Sequence, residues 1–200
     1  LDGDVWTDIG FAKIIADDVT IDGDGFDVTS TSGGTGVYGV YSYDSSSRTG
    51  VTIRELDISG FEYGIYLHKT SSSTVYDNEI DSSTANGIHV RDSYSNTIQL
   101  NDITSGEFGI GLVGSSYNNL ILSNDIYQNN QGQIGDTTGT SNTNYLEYDN
   151  SEGEIRWTDS DFLKDLDVSS SDNLMFGETI NITHNLAAVS DDFVTSVLKS

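Results

Sequence analysis

Residues Asn96–Asn118 read NTIQLNDITSGEFGIGLVGSSYN. Asn78–Asn96 reads NEIDSSTANGIHVRDSYSN and Asn124–Asn142 reads NDIYQNNQGQIGDTTGTSN, so one phrase returns along the chain. Its step is fixed: Asn78, Asn101 and Asn124 are 23 residues apart, as are Ile80, Ile103 and Ile126. A step of this size marks a solenoid. Each unit is too small to bury an apolar face alone and buries it against its neighbours.

Working outward, the columns extend over most of the chain. Ile53, Val75, Ile98 and Ile121 form one apolar column, and Ile58, Ile80, Ile103 and Ile126 a second. Ile65, Ile88 and Ile110 form a third; Leu67, Val90, Leu112 and Ile134 form a fourth. Leu56 heads a polar column of Asn78, Asn101 and Asn124, and Gly64, Gly87, Gly109 and Gly132 precede the third apolar column. In Thr20–Phe26, Ile21 takes the first column, Asp24 the asparagine position and Phe26 the second column. GIHV and GIGL alternate apolar and polar residues as strands do, and no unit holds the roughly 10–12 residues of helical period that a helix needs. The expectation is an all-β chain: a single-stranded right-handed parallel β-helix of about six coils over residues 1–148, with a β-rich extension at 149–200 that caps its end. Rungs about 4.8 Å apart would set Asn78, Asn101 and Asn124 in a ladder, each side-chain amide donating to the next.

The totals agree with a thin, extended core. Of 200 residues 35% are hydrophobic, and Gly (21) without any Pro leaves Gly, Asn, Asp and Ser to make the turns. The net charge of −24 sets nucleic acid aside as a partner, because its phosphates would be repelled, and it disfavours anionic membrane surfaces. It suits a protein that stays soluble in salt or attracts cations. With no Cys there is no disulfide framework. No apolar run approaches the roughly 18–20 residues of a membrane span. A chain that starts at Leu1 without a signal peptide is expected to be a processed mature protein or an excised fragment. Asn181-Ile182-Thr183 is a sequon for N-glycosylation in a secreted setting.

These columns resemble the right-handed parallel β-helix repeat family, which includes pectin lyases, polygalacturonases and epimerases. VTIDGDGFDV (Val19–Val28) resembles an opening coil of that family, and SNTIQLNDI and NNLILSNDI resemble later coils. The resemblance covers Val19–Tyr148 and implies fold more than function. The stretch from Gly153 to Ser190 resembles segments that follow β-helices in secreted and surface proteins of archaea.

The chemistry such enzymes need is not assembled here. Glycoside hydrolysis takes converging carboxylates, and the only adjacent acid pairs, Asp17-Asp18 and Asp191-Asp192, lie in the first coil and the tail. Arg54 and Arg91 are the only arginines of the regular coils. His89, outward on its strand beside Arg91, reads as a solvated surface histidine rather than a general base. His68 and His184 have no zinc partners by spacing. The DGD turns at Asp2–Asp4 and Asp22–Asp24 lack the rest of a calcium loop. An outward aromatic row, Tyr41 and Tyr66, is a candidate surface for sugar rings. The one constellation that stands out is acidic: Asp57, Glu79, Asp102 and Asp125 follow the polar column at the same step. Stacked carboxylates repel by about 1 kcal/mol per neighbouring pair in water-like surroundings and raise one another's pKa. High salt or bound Ca²⁺ would offset this, which makes the four a candidate cation ladder.

The functional expectation is a structural, secreted or cell-surface β-helix that self-associates into filaments or layers, with no catalytic residues. Phe193, Val194, Val197 and Leu198 of the tail are candidate assembly residues. The alternative is a carbohydrate-binding or polysaccharide-processing β-helix whose partners are surface glycans. A third reading, a periplasmic accessory factor for metal-enzyme maturation, has the missing Cys and the scarce His and Met against it.

Overall fold

The computed structural model describes residues 5–7, 9–42, 45–138, 144–146, 155–157, 166–168 and 182–184. These residues form strands, bridges, turns and bends, with no helix among them. Two parallel sheets run along a β-solenoid of about six turns, one of ten strands and one of seven. The first sheet holds, in order along the solenoid, Val5–Thr7, Thr20–Ser30, Thr52–Ser59, and then paired short strands such as Thr97–Gln99 and Asp102–Thr104. The second holds Ala12–Lys13, Tyr38–Tyr41, Tyr63–His68, Asn86–Arg91, Phe108–Val113, Gly132–Asp136 and Ile155–Trp157. Pairing therefore runs past Tyr148, since Ile155 lies beside Ile134 in parallel register. Leu166–Val168 and Ile182–His184 form a separate antiparallel pair.

The repeat becomes register directly. Ile58, Ile80, Ile103 and Ile126 are consecutive partners across four strands. Ile53, Val75, Ile98 and Ile121 are the same in the adjoining file. All eight are at most 2% exposed, and burying each aliphatic side chain stabilises the fold by roughly 1.5–3 kcal/mol. Like rests on like because equivalent β-branched side chains share one rotamer and nest at the strand spacing.

Two registers differ from those the periodicity predicts. Phe26 lies beside Leu56, and Val28 takes the second apolar column beside Ile58. The coil Thr20–Ser30 carries a bulge between Asp22 and Phe26, so its count runs two residues long there. Gly23 makes this bulge possible, since a β-carbon at that position would drive into the carbonyl of Glu55. Near the other end, Ile134 lies beside Ile110 rather than Leu112, and Gly132 beside Phe108. The turn before that strand is longer, with Asn129 accepting from the backbone N–H of Gly106. The glycine column has a packing cause in Gly64, Gly87 and Gly109. A β-carbon on each would enter the space of Ile80, Ile103 and Ile126 respectively.

The corners are held by two amide ladders. Asn78 donates from its side chain to Oδ1 of Asn101 at 2.8 Å, and Asn101 to Oδ1 of Asn124 at 2.9 Å. A second ladder joins Asn96, Asn119 and Asn144 at 3.0 Å per step. Each oxygen also accepts the backbone N–H of the preceding coil's asparagine. The backbone of a tight corner is thereby satisfied without water. Just before the first ladder the chain turns through the left-handed region at Asp24, Glu55, Asp77, Leu100 and Ser123, with φ from 49° to 57°.

Candidate functional site

The acidic column lies on the outward side of the first sheet. Outward placement follows from alternation: Ile58, Ile80, Ile103 and Ile126 point in, so the residue before each points out. Asp57 is the register partner of Glu79, Glu79 of Asp102, and Asp102 of Asp125. Asp27 adds a fifth member as the partner of Asp57, hidden in the sequence by the bulge. Loss of water, then the charges of Glu79, Asp27 and Asp81, raise Asp57 to a pKa of about 6, and Asp57 shares a hydrogen bond with Asp27. The Tyr127 hydroxyl is pushed upward, chiefly by the charge of Asp102, to which it is hydrogen-bonded. At the corner beside this column an open groove of about 480 Å³ is lined by Asp24, Glu55, Asp77 and Leu100 together with members of the column. Arg54, next to Glu55 in the chain, pairs with Asp22 at 2.5 Å and Glu55 at 2.6 Å.

Among the described residues no group of three or more His, Cys, Asp or Glu side chains has the geometry to hold a metal ion. A single file explains this. Its members are spaced by the strand repeat and project in parallel, whereas a calcium ion takes six to eight oxygens converging from several directions. Asn78, Asn101 and Asn124 are buried, with their side-chain amides committed to the corner ladder.

The outward side of the second sheet carries a different surface. Tyr38, Tyr41, Tyr63, Tyr66 and His89 form one ring cluster. Tyr38 stacks on Tyr66 at 5.2 Å, Tyr66 on His89 at 4.9 Å and 4° between planes, and Tyr63 tilts against His89 at 4.6 Å. His89 is 8% exposed, not the solvated histidine expected from its outward position. The rings of Tyr63 and Tyr66 cover it, and the coil beyond leaves only Gly111 beside it. The space over Gly111 is filled by the side chain of Asn86, whose amide lies 2.9 Å from Nδ1 of His89. Burial, followed by the charge of Arg91, lowers the pKa of His89 to about 4. The ring is therefore neutral at pH 7; with the Asn86 amide donating to Nδ1, its proton sits on Nε2.

At the rim of this cluster His68 is the register partner of Arg91. Nε2 of His68 lies 3.5 Å from Oδ2 of Asp92, and Nε of Arg91 lies 3.7 Å from the same oxygen. Asp92 accepts the Ser115 backbone N–H at 2.9 Å, the main cause of its lowered pKa. Burial and the charge of Lys69 lower the pKa of His68 against the pull of Asp92. Sequence reading found Tyr41 and Tyr66 here but not Tyr38, Tyr63 and Asn86. Their shared corner row shows only once strand partners are known.

At the N-terminal end, Val5–Thr7 and Ala12–Lys13 are the terminal strands of the two sheets among the described residues. Trp6, Ile9 and Ile15 are 65–71% exposed beside them. The tail residues Phe193, Val194, Val197 and Leu198, and the sequon residue Asn181, lie outside the described residues.

Residues 12–161 match the model of a protein family described as "Periplasmic copper-binding protein (NosD)". No curated protein and no solved structure matches the chain significantly.

Proposed function

The chain belongs to the NosD family of β-helix proteins, and on that footing we propose that it is an envelope or extracellular scaffold that joins copies of itself end to end. The family description places its members in the periplasm, and a charge of −24 keeps such a chain soluble in a saline exterior. The observation that carries the assembly reading is the N-terminal rung. There, among the described residues, the outer edges of both sheets lie together, next to Trp6, Ile9 and Ile15. Unpaired strand edges beside exposed apolar side chains are templates for further strands. The surface whose cross-section fits such a pair of edges is another coil of the same solenoid. Two N-terminal rungs meeting head to head would close as a two-fold dimer.

The family description also names copper. The donor set does not fit a copper carrier. The whole sequence has no Cys, one Met and three His, and the described residues bring no three candidate ligands together. Copper sites draw on thiolate, thioether and imidazole donors, which this sequence supplies too sparsely.

Sedimentation of the full chain over a hundredfold concentration range tests the proposal. Dimers or longer species are expected. Trp6→Lys combined with Ile15→Lys should leave a monomer whose circular dichroism is unchanged. A wild-type chain that stays monomeric throughout would end this reading. A second reading, a saccharide-binding face, is favoured by the ring cluster of the second sheet.

A further inference from the structure

We infer that the Asp24-Gly25 peptide is a site of spontaneous covalent modification, at which the aspartate isomerises to isoaspartate while the protein is folded. The site is the bulge of the first sheet, and the inference rests on neither end-to-end assembly nor the ring cluster.

The chemistry needs no partner but water. Starting from the carboxylic acid form, the backbone nitrogen of Gly25 attacks Cγ of Asp24. An N–Cγ bond forms and the Cγ–OH bond breaks, and the hydroxyl leaves as water with the proton of the Gly25 amide. Water then opens the five-membered imide at one of its two carbonyls. Opening at the former backbone carbonyl leaves the main chain running through Cγ, with that carbonyl released as a free carboxylate. The sum is an isomerisation: one water leaves, one returns, and nothing is oxidised or reduced. The attack needs a following residue that neither crowds the ring nor restricts the backbone, which is why glycine favours it.

The chain holds three Asp-Gly dipeptides, Asp2-Gly3, Asp22-Gly23 and Asp24-Gly25, and one Asn-Gly, Asn86-Gly87, which cyclises by the same route with loss of ammonia. Asp2-Gly3 lies outside the described residues. Two of the others are closed by the fold. One carboxylate oxygen of Asp22 pairs with Arg54 at 2.5 Å, and the other accepts the backbone N–H of Asp24 at 3.2 Å. Gly23 is buried, so close to the Glu55 carbonyl that a β-carbon would collide with it, and its peptide has no room to turn towards Asp22. Asn86 is 7% exposed and is the strand partner of Phe108. Its amide lies 2.9 Å from Nδ1 of His89, and Gly87 is packed against Ile103.

Asp24-Gly25 is open on each of these counts. The register passes from Asp22 beside Arg54 to Phe26 beside Leu56, so Asp24 and Gly25 belong to the bulge and take no strand partner among the described residues. Both are exposed. A β-carbon on Gly25 would meet no atom within 4 Å beyond its chain neighbours. With φ of 52° and 76°, both residues are outside strand geometry. Both line the open groove, which brings water to the imide. Isomerisation adds one carbon to the main chain, a length that a bulge takes up and a paired strand does not. At neutral pH an asparagine before glycine cyclises faster than an aspartate, because most of the aspartate is ionised and a carboxylate resists attack. Folding therefore inverts the intrinsic order: Asn86 leads in the unfolded chain and Asp24 in the native one, since protection follows local structure.

The full chain, incubated for weeks near neutral pH both native and in urea, tests this. Isoaspartate is located by peptide mapping and by methyl labelling with an isoaspartyl methyltransferase. In the native sample, modification at Asp24 should exceed that at Asp22 and at Asn86 at least tenfold. In urea Asn86 should lead, and Asp22 and Asp24 should react alike. Asp24→Glu, which would need a six-membered ring, should abolish labelling of this peptide. Asp24→Asn should label at least tenfold faster than the parent, with unchanged circular dichroism. Native modification at Asp24 that is absent, or no greater than at Asp22 and Asn86, would overturn the inference, as would labelling that survives in Asp24→Glu.

Discussion

Glu79 is the register partner of Asp57 on the adjacent coil, both facing outward, with Asp27 on the far side of Asp57. Three carboxylates at successive strand spacings leave the middle one the least able to ionise. Asp57 is accordingly raised from 3.8 to about 6, by loss of water and then by the charges of Glu79 and Asp27.

A group whose folded pKa is raised binds its proton more tightly in the folded state. Its favourable contribution is complete below the unfolded pKa of 3.8 and is lost as pH rises through about 6. The native state should therefore gain on going from pH 8 to pH 5 through this residue. Asp57 is half-buried and its interactions are partly screened, so the gain is about 1 kcal/mol rather than the full linkage value. Asp57→Asn should remove that part of the pH dependence and stabilise the protein near pH 8. Urea unfolding of both forms at the two pH values is the check, and an unchanged pH slope in the variant would refute the assignment.

Salt should stabilise this protein by screening, not by a bound divalent ion. The acidic file offers carboxylates in parallel, and no cluster of three or more potential ligands exists among the described residues. The Debye length falls to about 3 Å at 1 M, shorter than the spacing between neighbouring carboxylates. The melting temperature is expected to rise with sodium chloride. Calcium at matched ionic strength should add nothing, and a chelator should remove nothing. A calcium-specific rise that disappears in Glu79→Gln would restore the cation ladder anticipated from Asp57, Glu79, Asp102 and Asp125.

Asn101 is the middle rung of the corner ladder and is 1% exposed. Its amide donates to the carbonyls of Val75 and Gln99 and to Oδ1 of Asn124, and its own oxygen accepts from Asn78. Alanine would leave buried carbonyls and the Asn78 amide without these partners, at roughly 1–3 kcal/mol for each group left unsatisfied. Asn101→Ala should cost about 3 kcal/mol. Ser82→Ala, at a turn outside the ladder, should cost far less. Comparable losses at the two positions in urea titrations would show that the ladder is not what holds the corner.

The parts of the fold legible in the sequence are those fixed by repetition of like residues. Ile80, Ile103 and Ile126 announce their stacking because a 23-residue step places them on one line. Positions decided by a local change in count were not legible. The bulge at Gly23–Gly25 moved Val28 into the second column, and the longer turn near Asn129 moved Ile134 beside Ile110. The Asn96–Asn119–Asn144 ladder was masked in the same way, because its last step is 25 residues instead of 23. Four members of the acidic file were readable from spacing alone, and the fifth, Asp27, was hidden by the bulge. The ring cluster was only half readable, since Tyr63 and Asn86 sit at a corner where simple alternation fails. The burial of His89 depends on its neighbours in other coils, which periodicity within one strand does not report.

The corner before that ladder makes a last prediction. Leu100 occupies the same turn position as Asp77 and Ser123, with φ of 56° where they have 57° and 49°. In the left-handed region an L-residue's β-carbon crowds the following carbonyl at a cost of roughly 1–2 kcal/mol, a cost that asparagine and aspartate offset by local hydrogen bonding. Leucine has no such compensation, and at 56% exposure it gains little from burial. Leu100→Asn should therefore stabilise the protein by about 1 kcal/mol, raising the urea midpoint with an unchanged slope. Leu100→Gly should stabilise it by less, because glycine frees the unfolded chain as well as the turn. Leu100→Val should destabilise it, because branching at the β-carbon is least tolerated at positive φ. A series in which asparagine, glycine and valine fall in the opposite order would mean that the leucine side chain, by packing over the groove beside Asp77 and Asp102, contributes more than the backbone strain it imposes.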